Sequence, residues 1–208
     1  MNFTLFKVDN PKRLKKLNDS KISFFKKHEG IELFHFNKLD FEMFHLVYHI
    51  KDEYQVGTKR VGNQINLPFT QFINCFFFLN NEYLLIEEVL KEYQDDVIKH
   101  IQKKVNVTIE NETVSNTQFL NVQSKLQGFI KKVEYINEDE GDISLDSIST
   151  EKLKEISSIN ILYRLTLSVE NQFVSIYKNG RISVDNSDEM FLIKFTKDII
   201  DAINIHDN

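Results

Sequence analysis

His45 and His49 are the residues of this 208-residue chain whose spacing first suggests chemistry, with His35 a little upstream. On a helix, residues four apart sit one turn apart and can share a zinc ion. The zinc-protease pattern also needs a glutamate after the first histidine, and the segment reads His45-Leu46-Val47-Tyr48-His49. On a strand the same spacing separates the two by ~13 Å, too far for one metal. Phe44, Leu46, Tyr48 and Ile50 alternate as a strand requires. Phe41, Met43, His45 and Val47 make the other face apolar too, so a helix over 40–54 is the competing reading.

Carboxylates offer a second chemistry. Glu87 and Glu88 end an apolar run, and Glu92, Asp95 and Asp96 follow. Acidic residues at a strand end can hold Mg²⁺ in nucleases. A nuclease of the restriction-endonuclease type would place an acidic residue before a Glu-x-Lys on adjacent strands. Glu110-Asn111-Glu112 and Lys131-Lys132-Val133-Glu134 do not follow that order. Carboxylates at a helix start are better accounted for by the positive end of the helix dipole.

The single cysteine, Cys75, lies inside the apolar run from Ile73 to Leu79, a place for an inert buried thiol rather than a nucleophile. There is no G-x-S-x-G, no G-x-x-x-x-G-K-[ST] and no G-x-G-x-x-G. Val61-Gly62-Asn63, after Lys59 and Arg60, is too short to cradle a nucleotide. The sequence therefore assigns no catalytic residue, no metal ligand and no cofactor.

Cations offer a third possibility. Lys12, Arg13, Lys15, Lys16, Lys21, Lys26 and Lys27 interleave with Phe24 and Phe25, a mixture that can grip phosphates and stack on bases. Lys59, Arg60 and the Lys131-Lys132 pair could extend such a surface. Lys12, Arg13, Lys15, Lys16, Lys26, Lys27, Lys59 and Arg60 are thus the candidate contacts to nucleic acid or to a protein partner. The competing reading is a solvated basic face that docks on acidic regions of this chain or of another. Charge is indeed segregated: residues 1–30 carry +5 and residues 137–208 carry −7, within a net charge of −5. The sequence pI of 5.7 argues against a strongly basic nucleic-acid-binding domain.

The elements that would position these residues can be read from periodicity. Asn2–Val8 alternates as a first strand, and Asp9-Asn10-Pro11 opens a short basic helix with Leu14 and Leu17 inward. Ile31–Phe36 and Phe41–Val56 read as a hairpin turning at Asn37–Asp40. Gly57–Asn66 reads as a polar loop. Phe69–Leu79 and Tyr83–Glu88 form another hairpin through Asn80-Asn81. Val89–Lys104 is an amphipathic helix using Val89, Leu90, Tyr93, Val97, His100 and Ile101. Val105–Thr113 alternates. Ser115 caps a helix that Gly128 closes, and Phe129–Ile136 is a strand. Asn137–Asp142, acidic and glycine-containing, is the best boundary. Beyond it come a helix capped at Ser149 or Thr150 and strands at Asn160–Glu170 and Gln172–Tyr177. An Asn179-Gly180 type I′ turn, a return strand Ile182–Asp185 and a terminal helix from Ser187 or Asp188 complete the reading.

The pattern predicts an α+β fold, with predominantly antiparallel sheet and helices packed on one face, as one long sheet or as two small α/β sandwich units. The expected units are 1–137, containing a ββαβαβ core over 67–137, and 143–208. The lone buried thiol fits a reducing cytoplasm. The N-terminal residues have no apolar core of a signal peptide, and no apolar run reaches the ~20 residues of a membrane span. Abundant Lys, Asn, Ile and Phe suggest an AT-rich genome, bacterial or phage.

The rhythm of residues 67–137, Leu67-Pro68-Phe69 through Tyr135-Ile136-Asn137, resembles a layout of small proteins from bacterial anti-phage and mobile-element loci. The resemblance implies an accessory or sensor component of such a system. With no catalytic motif, the leading reading is a non-enzymatic, cytoplasmic accessory subunit that contacts nucleic acid or a larger protein partner. A self-assembling scaffold is the alternative, and a small metal-dependent nuclease the third reading.

Overall fold

The computed structural model of the chain describes residues 1–18, 30–39, 42–57, 62, 64–185 and 188–205. In chain order they form β1 (Asn2–Val8), a 3₁₀ helix (Pro11–Leu17), β2 (Ile31–Lys38), β3 (Met43–Gly57), β4 (Gln64–Phe78) and β5 (Tyr83–Glu87). Then come α1 (Lys91–Val105), β6 (Ile109–Asn111), α2 (Asn116–Leu126), β7 (Phe129–Asn137), β8 (Gly141–Asp146) and α3 (Thr150–Ile159). β9 (Ile161–Val169), β10 (Gln172–Tyr177), β11 (Arg181–Val184) and α4 (Glu189–Ile203) complete the chain. This is an α+β fold with mostly antiparallel sheet, as the periodicity predicts. No helix among the described residues is long and apolar enough to cross a membrane. The chain divides into two compact units, residues 8–109 and residues 1–7 with 110–208.

In the 8–109 unit the strands run in the order β2-β3-β4-β5. The segment from Met43 is a strand, so the helical alternative is set aside. Phe44, Leu46, Tyr48 and Ile50 share one face and pair across with Phe77, Cys75, Ile73 and Gln71. Phe44, Leu46, Tyr48, Ile50, Ile73, Cys75 and Phe77 are all buried. Val97, Ile101 and Val105 of α1 and Leu14 and Leu17 of the 3₁₀ helix are also buried, closing the core. Phe44 and Phe77 stack at 4.7 Å between ring centroids. α1 begins later than predicted: Leu90 is its N-cap residue and is 65% exposed, not part of the core. The predicted two-residue turn at Asn80-Asn81 is a four-residue loop, Leu79 to Glu82, because Phe77 pairs with Leu84.

Both ends of the polar loop predicted at Gly57–Asn66, Gly57 and residues 64–66, are strand, whereas 58–61 and 63 lie outside the described residues. β3 runs to Gly57 and β4 restarts at Gln64, in register from Met43↔Phe78 to Gly57↔Gln64. β2 covers the edge of β3 only as far as Ile50, and β5 pairs with β4 only from Cys75. Among the described residues, the outer part of the hairpin is therefore a two-stranded ribbon.

In the other unit the order is β1-β11-β10-β9-β7-β8. Phe3, Ile182, Ile176 and Leu165 lie in one cross-strand row of its buried face. Phe119 and Val122 of α2, Leu153 and Ile156 of α3 and Phe195, Ile199 and Ile200 of α4 supply the rest of the core. α2 starts with a reciprocal capping box: the Ser115 hydroxyl accepts from Gln118 N–H, and the Gln118 side chain accepts from Ser115 N–H. Asp188 caps α4.

Two local expectations change. The acidic stretch expected as a boundary is the turn of a β7–β8 hairpin inside one unit, with Asn137 paired to Gly141. At Lys178–Gly180 the turn is not type I′. Asn179 keeps a negative φ, Gly180 takes φ +80°, and Gly180 N–H donates to Tyr177 carbonyl at 3.0 Å. That is a three-residue loop closed by a left-handed glycine. The two-residue turn with both φ positive lies instead at Glu170-Asn171, between β9 and β10.

Candidate functional site

Each cation singled out from sequence can be placed where the structure describes it. Lys12, Arg13, Lys15 and Lys16 lie on the 3₁₀ helix, whose start is set by Pro11 and whose burial by Leu14 and Leu17. Arg13 donates from Nη1 to the Asn106 carbonyl at 2.5 Å. Asn106 is the left-handed C-cap of α1, whose last turn carries Lys103 and Lys104. This hydrogen bond ties the basic helix to the basic end of α1, a grouping that sequence separation hides. The Lys15 ammonium sits 5.6 Å above the Phe44 ring. Lys12, Lys15 and Lys16 are exposed. Lys26, Lys27, Lys59 and Arg60, with Lys21, Phe24 and Phe25, lie outside the described residues. Lys132 pairs with Glu134 at 2.8 Å in the other unit, which also approaches Arg164 at 3.5 Å.

The histidines lie on the face of β2–β3–β4 opposite the α1 core. Glu87 accepts from Asn74 Nδ2 at 2.7 Å and from Asn74 N–H at 2.9 Å. That leaves Asn74 Oδ1 to accept from His45 Nε2 at 2.9 Å. His35 packs edge-on to His45, and His49 pairs with Glu32 at 2.7 Å. Phe34, Phe72 and Phe76 frame them. The line Glu87–Asn74–His45 orients an imidazole, which in a hydrolase would serve a nucleophile. Here Cys75 projects to the opposite face and is fully buried; burial, and then the Glu87 charge, push its thiol far above the ordinary range. Among the described residues no three His, Cys, Asp or Glu side chains group closely enough to hold a metal ion. Glu110 and Glu112 are exposed and half-buried.

On the 110–208 unit, the face opposite the helices carries Arg164, Tyr177 and Arg181 in one cross-strand row. Both guanidiniums lie over the Tyr177 ring, at 5.0 and 5.2 Å. Thr166 and Ser175 share a 2.8 Å hydrogen bond beside them. The aromatic face is already occupied by the protein's own cations, so this row braces the sheet.

The feature that sequence reading passed over is the outer ribbon of β3–β4. Register places Tyr54 opposite Leu67 and Val56 opposite Ile65, on the face that nearer the base forms the core. Yet these side chains are 60%, 50%, 48% and 62% exposed. Tyr54 stacks on Phe69 at 4.1 Å, one rung closer to the base. The opposite face carries Lys51, Glu53, Gln55, Asn66, Pro68 and Thr70. The signal was present in the alternation of Tyr54-Gln55-Val56 and Ile65-Asn66-Leu67, but it sat beside glycines that read as a loop.

No known protein family matches the chain, and no curated protein matches it detectably.

Proposed function

We propose that this chain is a non-enzymatic cytoplasmic binding protein that engages a protein partner through the outer ribbon of β3–β4. The accessory role in a phage-defence or mobile-element system, implied by the layout of residues 67–137, is the setting proposed for it. One observation carries the reading: beyond Asp52, which Tyr93 of α1 contacts, the core face of the sheet carries a second apolar patch, Tyr54, Val56, Ile65 and Leu67, that is left exposed. A two-stranded ribbon by itself is marginal in water, and an apolar stripe on it is a feature that association would bury. In a lysate of its source cell, the tagged full-length chain should run in an assembly larger than a monomer. Val56→Glu with Leu67→Glu should return it to monomer mass. An unchanged assembly in the double variant sinks the reading.

Polyanion contact is a second reading, favoured by the Arg13–Asn106 bond that brings Lys12, Lys15 and Lys16 to the end of α1 bearing Lys103 and Lys104. Reversing Lys12, Lys15 and Lys16 to Glu should weaken binding of single-stranded RNA or DNA. The binding should fall with salt, because exposed charges are screened over ~8 Å at physiological ionic strength. Salt-independent or unaltered binding removes this reading.

A further inference from the structure

We infer that the partner covering the β3–β4 ribbon is a second copy of this chain, packed ribbon to ribbon through Tyr54, Val56, Ile65 and Leu67. The inference rests on the proposed role of the ribbon and names its occupant. Shape comes first. The four side chains form two adjacent cross-strand rungs on a ribbon that is exposed on both faces, so another such ribbon can lie on it face to face. Two stacked layers would sit ~10 Å apart, the ordinary spacing of packed sheets.

Charge agrees. The stripe from Tyr54 to Val56 and from Ile65 to Leu67 carries no ionisable group except the Tyr54 phenol, so two copies meet without repulsion. Asp52, the first charge on this face, is hydrogen-bonded to Tyr93 of α1 and marks the stripe's inner limit.

Area is the third argument. Full cover of Tyr54, Val56, Ile65 and Leu67 with their flank withdraws at most on the order of 500 Å² from each copy, about 1,000 Å² in all, at the lower bound for a specific interface. An isologous two-fold contact is the commonest way for one patch to be satisfied, since the same residues serve on both sides. Edge pairing is less suited: Pro68 removes an N–H from the outer part of β4, a feature of strands that do not recruit a further strand.

The test uses the full-length purified chain. Light scattering after size exclusion should give twice the 24.6 kDa chain mass at tens of micromolar, on the order expected of a small interface. Val56→Glu with Leu67→Glu should give a monomer with an unchanged far-ultraviolet spectrum. The only native cysteine is buried, so introduced thiols report location. Under mild oxidation, at least one of Tyr54→Cys, Val56→Cys, Ile65→Cys and Leu67→Cys should form an intermolecular disulfide, whereas Gln55→Cys on the polar face should not. A wild-type monomer at every concentration overturns the self-pairing, as does a dimer that survives the double variant. A monomeric pure protein that still forms an assembly in its source cell, lost in the double variant, would sink self-pairing alone and leave the binding role standing. An assembly that the double variant keeps would remove both.

Discussion

The turn of the β7–β8 hairpin is built from Glu138, Asp139 and Glu140, with the Asn137 side chain accepting from the N–H groups of 139 and 140 at 2.9 and 3.1 Å. β8 then places Asp142 and Asp146 along the edge of its sheet. Charges on an edge strand deter pairing with another chain. The β3–β4 ribbon is the more exposed of the two and carries Tyr54, Val56, Ile65 and Leu67 along one face. Both hairpins are paired in the same antiparallel way. The difference teaches that exposure alone does not mark a contact surface; exposure with one face left apolar does.

The largest effect should separate the buried base of β3–β4 from its outer ribbon. Phe77 is fully buried and stacked on Phe44. Phe77→Ala should cost about 3–5 kcal/mol in urea unfolding. Leu67→Ala, half exposed on the same strand, should cost well under that, about 0.5 kcal/mol, in the monomer. Equal costs would show that the ribbon is part of the folding core and not an appendage.

The two hairpin glycines give the next contrast. Gly180 has φ +80°, and a Cβ there would lie 2.4 Å from the Glu112 carbonyl oxygen. Gly141, at the β7–β8 turn, has φ +79° with nothing within 4 Å of such a Cβ. Gly141→Ala should therefore cost only the left-handed backbone penalty, roughly 1–2 kcal/mol. Gly180→Ala adds a backbone clash and should cost more, on the order of 3 kcal/mol. Thermal denaturation of both variants would check the order, and a reversal would refute the turn geometry.

Helix starts extend the comparison between the units. α2 opens with the Ser115–Gln118 capping box, whereas α1 opens at Leu90 with no side-chain cap. Ser115→Ala should destabilise by about 1 kcal/mol. Leu90→Asp should stabilise by a comparable or smaller amount, about 0.5–1 kcal/mol, since an exposed leucine gives way to an N-cap acceptor near the positive helix end. Denaturant midpoints for the pair should move in opposite directions.

Much of the fold was legible in the sequence because each signal was local. Phe44-Leu46-Tyr48-Ile50 alternates, Ser115 stands three before Gln118, and Asp188 precedes an amphipathic run. What failed were features set by pairing across distance. Glycine at 57 and 62 argued for a loop, yet register with β4 holds β3 straight to Gly57. Leu90 fits the helical period but lies one residue before the helix, exposed. Glu170-Asn171 adopts two positive φ angles without glycine, because β9 and β10 are held in register on either side. For the candidate site, the 3₁₀ helix was visible as a basic segment, but its bond to Asn106 was not. Nor could the line Glu87–Asn74–His45 be read, since it exists only once β3, β4 and β5 are side by side.

The smallest expected effect lies where the ribbon meets its unit. The Tyr93 hydroxyl of α1 donates to the Asp52 carboxylate at the inner limit of the stripe. That hydrogen bond holds the Tyr93 phenol up at about 12 and, with the Glu53 N–H, holds the Asp52 carboxyl below its usual range. For Tyr93 the folded value is raised, so its contribution is complete below the ordinary value of 10.0 and fades as pH climbs toward about 12. For Asp52 the folded value is depressed, so its contribution is present above the ordinary 3.8 and fades as pH drops through the lowered value. The contact should therefore be constant between those limits and lost outside them. Following phenolate absorbance, the intact protein should show a step near pH 12 that Tyr93→Phe removes and Asp52→Asn moves down toward 10. Amide exchange at Tyr54–Gly57 should quicken slightly in Tyr93→Phe at neutral pH, because the ribbon loses its tie to α1. A step unmoved by either substitution would show that α1 does not anchor the ribbon, and that its outward stripe is held by β3–β4 pairing alone.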